Sequence, residues 1–111
     1  MVSRAGASIL GEYPVFGLPA ILVPYPYAWR YQRVNAQYLV QLGAAVMIAD
    51  ADLEEHLLPQ VQDLLADRER REDMRTALKS LARPKAANEI AGLIQNLAPG
   101  AAHKAAGEAR V

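Results

Sequence analysis

Two short runs of apolar residues have the composition of strands that are buried on both faces. They cover residues 20–23 and 44–48, and each is followed by residues that break regular structure. Uninterrupted runs of this kind are typical of a parallel sheet, which is covered on both sides. Residues 1–3 have the pattern of a strand end with nothing before it, so we expect that a larger fold has been cut here.

The segment between the first two strands predicts a helix over residues 7–16. Pro14 lies inside this segment, and proline in a helix interior removes a hydrogen bond. We therefore expect a disturbance or a restart at Pro14, where a first helical position would tolerate it. Gly17 then provides a natural C-terminal stop.

A second helix is predicted over residues 31–42, ending at Gly43. Its large apolar residues lie four apart and therefore share one face: Val34, Tyr38 and Leu42. The chain up to this point alternates strands and helices, which favours an α/β fold with a parallel sheet.

Three further helices are predicted between the last strand and residue 98. Asp50 and Asp52 are N-cap candidates for the first, Pro59 should kink or restart it, and Pro84 suits the first turn of the last. The apolar stripes of the three helices are, in order, Leu53, Leu57, Val61, Leu64 and Leu65; Met74, Leu78 and Leu81; and Ile90, Leu93, Ile94 and Leu97. We expect one domain over residues 1–98 and a disordered tail over residues 99–111.

Composition narrows the possible functions. The 111 residues carry no net charge, which argues against nucleic acid as a partner. The absence of cysteine excludes disulfides and thiolate chemistry, and two histidines make a metal site a poor expectation. With no signal peptide and no apolar stretch long enough to cross a bilayer, we expect a cytoplasmic protein that can still bind a membrane surface.

Polar residues with binding chemistry follow the first strand. Residues 3–8 join the strand end to a helix start, where unpaired amides suit phosphate and Gly6 allows close approach. Glu12 lies one helical turn after Ser8 and could accept hydrogen bonds from ribose hydroxyls. An ordinary turn and a solvated glutamate are the alternative interpretations.

A second polar segment follows the second strand. Gln32 can both donate and accept, which suits sugar hydroxyls, and Asn35 could cap the helix or bond a neighbouring loop. The alternative is a polar helix start with solvated arginines. We find no catalytic constellation and expect no cofactor and no metal.

Taken together, these segments resemble the C-terminal domain of glycosyltransferase family 28. The resemblance rests on Ser3-Arg4-Ala5-Gly6-Ala7, Glu12, residues 16–26, Gln32, Asn35-Ala36, Tyr38-Leu39 and Gly43-Ala44-Ala45, in order and spacing. It implies a partial Rossmann-like sheet with flanking helices, the C-terminal half of a GT-B glycosyltransferase.

The resemblance also implies a function and a site. A family-28 enzyme of peptidoglycan synthesis would transfer N-acetylglucosamine, with inversion, from UDP to a lipid-linked acceptor, converting lipid I to lipid II at the inner face of the cell membrane. It places Ser3, Arg4, Gly6 and Ala7 at the nucleotide phosphates. Glu12 would hold the ribose and Gln32 the sugar, and the acceptor would bind the other domain. Tyr31 and Asn35 are possible further contacts.

The chain also departs from the family pattern. Many relatives carry an aspartate at the position of Trp29 and a histidine or glutamine at that of Tyr31, so contacts around the sugar can differ. The alternatives are a family-28 transferase for another sugar or lipid, a subunit of a split transferase, and a non-catalytic binding module. A fragment of this kind is expected to be inactive alone.

Overall fold

A computed structural model of the protein describes residues 1–98, so the tail predicted for residues 99–111 lies outside the described residues. One sheet of three parallel strands has the order β1 (Val2–Ser3), β2 (Ala20–Leu22) and β3 (Ala45–Met47). In register, Val2 lies opposite Ile21, and Ile21 lies opposite Val46. The parallel sheet predicted from the apolar runs is confirmed.

Residues 1–98 also form five α-helices and two short 3₁₀ helices. The α-helices are α1 (Glu12–Phe16), α2 (Tyr31–Gln41), α3 (Leu53–Ala66), α4 (Arg68–Leu81) and α5 (Ala86–Leu97); the 3₁₀ helices are Ala7–Leu10 and Asp50–Asp52. The β1–α1–β2–α2–β3 order gives the α/β class expected from the sequence.

The central strand β2 is buried on both faces because its side chains alternate between two hydrophobic clusters. Leu22 belongs to the cluster that includes Leu39 of α2 and Leu78 of α4. Ile21 belongs to a second cluster with Leu64 of α3 and Met74 of α4. Helices therefore cover both faces of β2.

The helix predicted over residues 7–16 is instead two pieces. The 3₁₀ helix Ala7–Leu10 and α1 meet at Gly11, so the break lies three residues before Pro14. Pro14 is the third residue of α1, where its missing N–H has no intrahelical acceptor to lose. The expected restart at Pro14 is therefore wrong, and so is the single continuous helix that placed Ser8 and Glu12 one turn apart.

Both glycine stops predicted from the sequence are confirmed. Gly17 and Gly43 adopt left-handed conformations, with φ of 56° and 71°. At each end the following residue donates a backbone hydrogen bond back into the helix, from Leu18 to Tyr13 at 3.1 Å and from Ala44 to Leu39 at 2.9 Å. This is the Schellman pattern, and it turns the chain directly into β2 and β3.

The inner face of α2 is not the one predicted from the spacing of its large apolar residues. Val34, Tyr38 and Leu42 are between 44% and 56% exposed, whereas Ala36 and Leu39 are fully buried. The stripe expected from spacing therefore lies on the outside of the helix. The inner face is smaller and partly polar because it carries the hydrogen bonds described below.

Other details of the helical half differ from expectation. Asp52 is the N-cap residue of α3 but its side chain makes no capping bond, and α3 continues through Pro59 without a restart. The side chain that caps a helix is that of Asp67, which accepts from the amide of Arg70 at the start of α4. Pro84 precedes α5 instead of lying in its first turn.

The apolar stripes of α3 and α4 pack as predicted, with the exception of Leu65, which is 68% exposed. The stripe of α5 does not. Its four members are all more than half exposed, so the expected burial of this face is wrong for residues 1–98: Ile90, Leu93, Ile94 and Leu97. No helix in the described part of the chain combines the length and hydropathy that a membrane span requires.

Candidate functional site

Three loops meet where the strands end. Because β1, β2 and β3 are parallel, their carboxyl ends lie at the same edge of the sheet, which is the usual ligand edge of such folds. We call residues 4–8, which follow β1, the glycine turn, and residues 23–30, which follow β2, the aromatic loop. Most of the residues predicted for binding lie in or next to these two loops.

The glycine turn presents unpaired amides. The backbone N–H groups of Gly6, Ala7 and Ser8 donate to no other group among residues 1–98, and Ala7 and Ser8 are exposed. Gly6 has φ of −63° and ψ of 168°, so glycine is not required here by backbone conformation. A Cβ added at Gly6 would meet nothing within 4 Å. The open space above this residue can therefore receive a ligand close to the backbone.

Gln32 joins the two loops. Its Oε1 accepts hydrogen bonds from the amide of Ala5 at 3.2 Å and from the amide of Tyr25 at 2.8 Å. Both donors are backbone N–H groups, so the oxygen must face them and the Nε2 group is left to donate. The acceptor oxygen of Gln32 is therefore engaged within the chain, where it holds the two loops together, and its Nε2 group is the part of the amide that can donate to another molecule.

Asn35 and Ser3 also fix the backbone of the glycine turn. The Nδ2 group of Asn35, one turn along α2 from Gln32, donates to the carbonyl of Ala5 at 3.0 Å. The hydroxyl of Ser3 donates to the carbonyl of Arg4 at 2.8 Å and accepts from the hydroxyl of Tyr13 at 2.7 Å. Both polar side chains are engaged within the chain, and Asn35 makes the bond to a neighbouring loop that was one of its two predicted roles.

Arg4 links all three loops. Its guanidinium forms an ion pair with Asp50, donates to the carbonyl of Val23, and lies 5.3 Å from the ring centroid of Tyr25. The ion pair is partly exposed, so solvent screens much of its contribution to stability. These contacts hold the side chain of Arg4 against the aromatic loop, so it does not extend over the glycine turn.

Glu12 and Tyr31 are less constrained. Glu12 is the first residue of α1, is exposed, and makes no hydrogen bond or ion pair with residues 1–98. Tyr31 begins α2 and is 76% exposed. Their side chains are free to reach a ligand, but the structure does not bring them into contact with the glycine turn.

Two features of this edge were missed by sequence reasoning. Asp50 was assigned only a capping role, although its place directly after β3 puts it beside residues that follow β1. Trp29 has a left-handed φ of 52°, and no sequence signal pointed to this conformation. Within residues 1–98 no three acidic or histidine side chains converge as a metal site.

Comparison with known proteins identifies the family. Residues 1–90 match the model of the glycosyltransferase family 28 C-terminal domain. The chain belongs to this family. The predicted resemblance is therefore confirmed.

Two curated relatives that are similar to this chain have the same name, UDP-N-acetylglucosamine–N-acetylmuramyl-(pentapeptide) pyrophosphoryl-undecaprenol N-acetylglucosamine transferase. The protein of Desulforamulus reducens is 42% identical over 101 residues, which cover 89% of this chain and 27% of the relative. That of Roseiflexus sp. is 46% identical over 101 residues, covering 86% of this chain and 23% of the relative. This chain thus spans about a quarter of the length of these relatives.

A solved structure gives the same result for the fold. MurG of Acinetobacter baumannii superposes with a TM-score of 0.76 at 30% identity, over 86% of this chain and 28% of that protein. The fold class expected from the sequence, a partial Rossmann-like sheet from the C-terminal half of a GT-B glycosyltransferase, is confirmed.

Proposed function

We propose that this chain is the donor-binding part of an inverting glycosyltransferase that moves N-acetylglucosamine from UDP to lipid-linked N-acetylmuramoyl-pentapeptide, converting lipid I to lipid II. The names of its family-28 relatives support this reaction. The acceptor would bind the part of such an enzyme that this chain does not include, at the inner face of the cell membrane. Alone, the chain is expected to be inactive.

The observation that carries the proposal is the set of amides at Gly6, Ala7 and Ser8 that have no partner within residues 1–98, together with the open space at Gly6. These groups donate to the diphosphate of the sugar nucleotide. When the acceptor hydroxyl attacks the anomeric carbon, negative charge grows on the departing UDP, and donors already in place stabilise it without reorganisation. The 3₁₀ helix after Gly6 has only four residues, so the amides contribute more than a helix dipole.

We assign the remaining ligand contacts to polar groups that make no hydrogen bond within residues 1–98. Glu12 accepts hydrogen bonds from the ribose hydroxyls, and the Nε2 group of Gln32 donates to the N-acetylglucosamine. Ser3, Asn35 and Arg4 act mainly as positioning residues, because their polar atoms already hold the backbone of the two loops. Tyr31 contacts the sugar from the start of α2.

A graft tests this function directly. Residues 1–98 replace the corresponding part of the Acinetobacter baumannii enzyme, and transfer of N-acetylglucosamine to a lipid-linked acceptor is measured. We expect the grafted enzyme to be active and to prefer UDP-N-acetylglucosamine over UDP-glucose. A folded graft that transfers no sugar from either donor would contradict the proposal, whereas preference for UDP-glucose would favour a family-28 transferase for another sugar.

Glu12→Gln in the grafted enzyme tests the ribose contact. The change replaces one or two charge-assisted hydrogen bonds, worth about 1.5–3 kcal/mol each, by neutral ones worth about 0.5–1.5 kcal/mol. The loss of about 1–1.5 kcal/mol per bond should raise KM for the donor roughly fivefold to a hundredfold. Glu54→Gln is the matched control, since Glu54 is also an exposed glutamate in a first helical turn. An unchanged donor KM in Glu12→Gln would remove Glu12 from the site.

A further inference from the structure

One tyrosine differs from the other four in its environment. All five tyrosines lie within residues 1–98, and Tyr13 is 9% exposed, whereas each of the others is at least 45% exposed. The ring of Tyr13 belongs to the hydrophobic cluster that includes Leu22 and Leu39. A phenylalanine would fill this cluster without taking a hydroxyl out of water, so the hydroxyl needs an explanation of its own.

The hydroxyl of Tyr13 orients that of Ser3. The two oxygens are 2.7 Å apart, and the Ser3 oxygen lies 2.8 Å from the carbonyl oxygen of Arg4. A carbonyl can only accept, so Ser3 gives its single proton to Arg4, and the proton between the two hydroxyls comes from the tyrosine. Tyr13 therefore holds the serine hydroxyl in the orientation in which it donates to the glycine turn.

The bond from Ser3 holds one end of a peptide group whose other end is also held. In a planar trans peptide the carbonyl and the N–H point in opposite directions. The carbonyl of Arg4 accepts from Ser3, and the N–H of the same peptide group, which belongs to Ala5, donates to Gln32. The plane of this peptide is thus fixed from two sides, by β1 and α1 through Ser3 and by α2 through Gln32.

The next peptide group begins the row of amides that have no partner within residues 1–98. Its carbonyl, on Ala5, accepts from Asn35, so the N–H of Gly6 points away from Asn35. The carbonyl of Gly6 accepts from the amide of Ile9 at 3.2 Å, so the N–H of Ala7 points away from Ile9. Because consecutive peptide groups share a Cα atom, a rotation of the first changes the direction of these amides.

We propose that Tyr13 is a positioning residue of the donor site, whose hydroxyl acts through Ser3 to orient the amides of the glycine turn toward a diphosphate. The inference rests on the proposed function, in which those amides bind the diphosphate of the nucleotide sugar. Tyr13 also follows Glu12 directly in α1, so its hydroxyl ties the proposed ribose contact to the glycine turn. It thereby sets the distance between the two contacts.

Nuclear magnetic resonance of the 111-residue protein tests this inference, because the amides of Gly6, Ala7 and Ser8 report on the glycine turn itself. The protein is titrated with UDP-N-acetylglucosamine and, separately, with inorganic pyrophosphate, which has neither ribose nor sugar. We expect Tyr13→Phe to weaken the binding of both probes about threefold to tenfold, as for the loss of one hydrogen bond. Glu12→Gln should weaken only the binding of the nucleotide sugar.

Two further variants test whether Tyr13 acts through Ser3. Ser3→Ala removes the same link from its other side and should weaken both probes at least as much as Tyr13→Phe does. The double variant Tyr13→Phe/Ser3→Ala should then bind no more weakly than Ser3→Ala alone, because the tyrosine has no serine hydroxyl left to orient.

Two controls separate positioning from general stability. Tyr38→Phe removes the hydroxyl of a half-exposed tyrosine on the outer face of α2 and should change neither affinity. Asp67→Ala removes the side-chain cap of α4, so it should destabilise the fold and still leave both affinities unchanged at a temperature where the protein is folded.

Three results would overturn the inference. The first is an unchanged affinity for both probes in Tyr13→Phe. The second is a pair of losses that add in the double variant with Ser3→Ala. The third is a set of glycine-turn amides that respond to neither probe. A response to pyrophosphate but not to UDP-N-acetylglucosamine would contradict the proposed function, while the effect of Tyr13→Phe on pyrophosphate binding still decides the inference.

Discussion

The glycine turn and the aromatic loop lie at the same edge of the sheet and are held by the same glutamine, yet they are built in opposite ways. After Arg4, the glycine turn has only small side chains, and three of its amides have no partner within residues 1–98. The aromatic loop offers large side chains, with Tyr27 and Trp29 more than 80% exposed. In the glycine turn, hydrogen bonds fix a backbone that stays accessible. In the aromatic loop, the strained backbone of Trp29 leaves its side chain exposed.

The largest expected effect comes from breaking the link between the two loops. Gln32→Ala leaves the amides of Ala5 and Tyr25 without their shared acceptor, which should lower the free energy of unfolding by about 2–3 kcal/mol, because the bond to Ala5 is partly buried and the bond to Tyr25 is exposed. Urea denaturation of the 111-residue protein measures this. Gln32→Glu keeps an acceptor oxygen and should stay within about 0.5 kcal/mol of the parent. Equal losses in the two variants would show that Oε1 does not hold the loops.

A smaller effect is expected on the glycine turn alone. Asn35→Ala removes the donor to the carbonyl of Ala5 and should cost about 1–2 kcal/mol of unfolding free energy, because that bond is partly buried. Asn88→Ala, at an exposed position of α5, should change stability by no more than about 0.5 kcal/mol. Similar values for both asparagines would mean that the turn does not depend on α2 for its shape.

The smallest expected effect tests the backbone conformation of residue 29 in the aromatic loop. If Trp29 is strained, Trp29→Gly should be more stable than Trp29→Ala by about 1 kcal/mol, because glycine adopts a left-handed φ without the steric penalty of a Cβ. Thermal unfolding of the two variants gives the difference. An alanine variant as stable as the glycine variant would indicate that residue 29 is not held in this conformation.

Sequence patterns predicted the sheet because local signals agree with the fold there. The uninterrupted apolar runs around Ile21 and Val46 predict strands that are buried on both faces. Gly17 and Gly43 end helices because glycine adopts a left-handed φ without a steric penalty. Such features depend on a few neighbouring residues, so they can be predicted from the sequence alone.

What the sequence did not reveal depends on contacts between distant elements. The spacing of Val34 and Tyr38 indicated the wrong face of α2, because both side chains are at least half exposed. The face that packs inward carries polar residues such as Asn35, which hydrogen-bonds the glycine turn. The pair between Arg4 and Asp50 joins residues 46 positions apart. For α5, periodicity identifies a face suited to burial but contains no information about what covers it.

The candidate site shows the same difference between features set by neighbouring residues and features set by contacts between distant elements. Gln32 and Asn35 lie at the start of α2, as the sequence predicted. Which of their oxygen and nitrogen atoms bind the neighbouring loops could be decided only from the positions of those loops. The positions in the family pattern identified the candidates, and the hydrogen bonds show which atoms remain free.

The account depends most on the amides of the glycine turn binding the diphosphate. Gly6→Ala in the grafted enzyme tests this most directly, because alanine fits the backbone at φ of −63° and its methyl group enters the open space proposed for the ligand. Gly11→Ala is the matched control, with equally open space and a permitted φ of −104°. We predict that Gly6→Ala raises KM for UDP-N-acetylglucosamine at least about tenfold at unchanged stability, as for one lost charge-assisted hydrogen bond or more, while Gly11→Ala leaves it unchanged. Equal donor KM values in Gly6→Ala, Gly11→Ala and the parent graft would contradict the account.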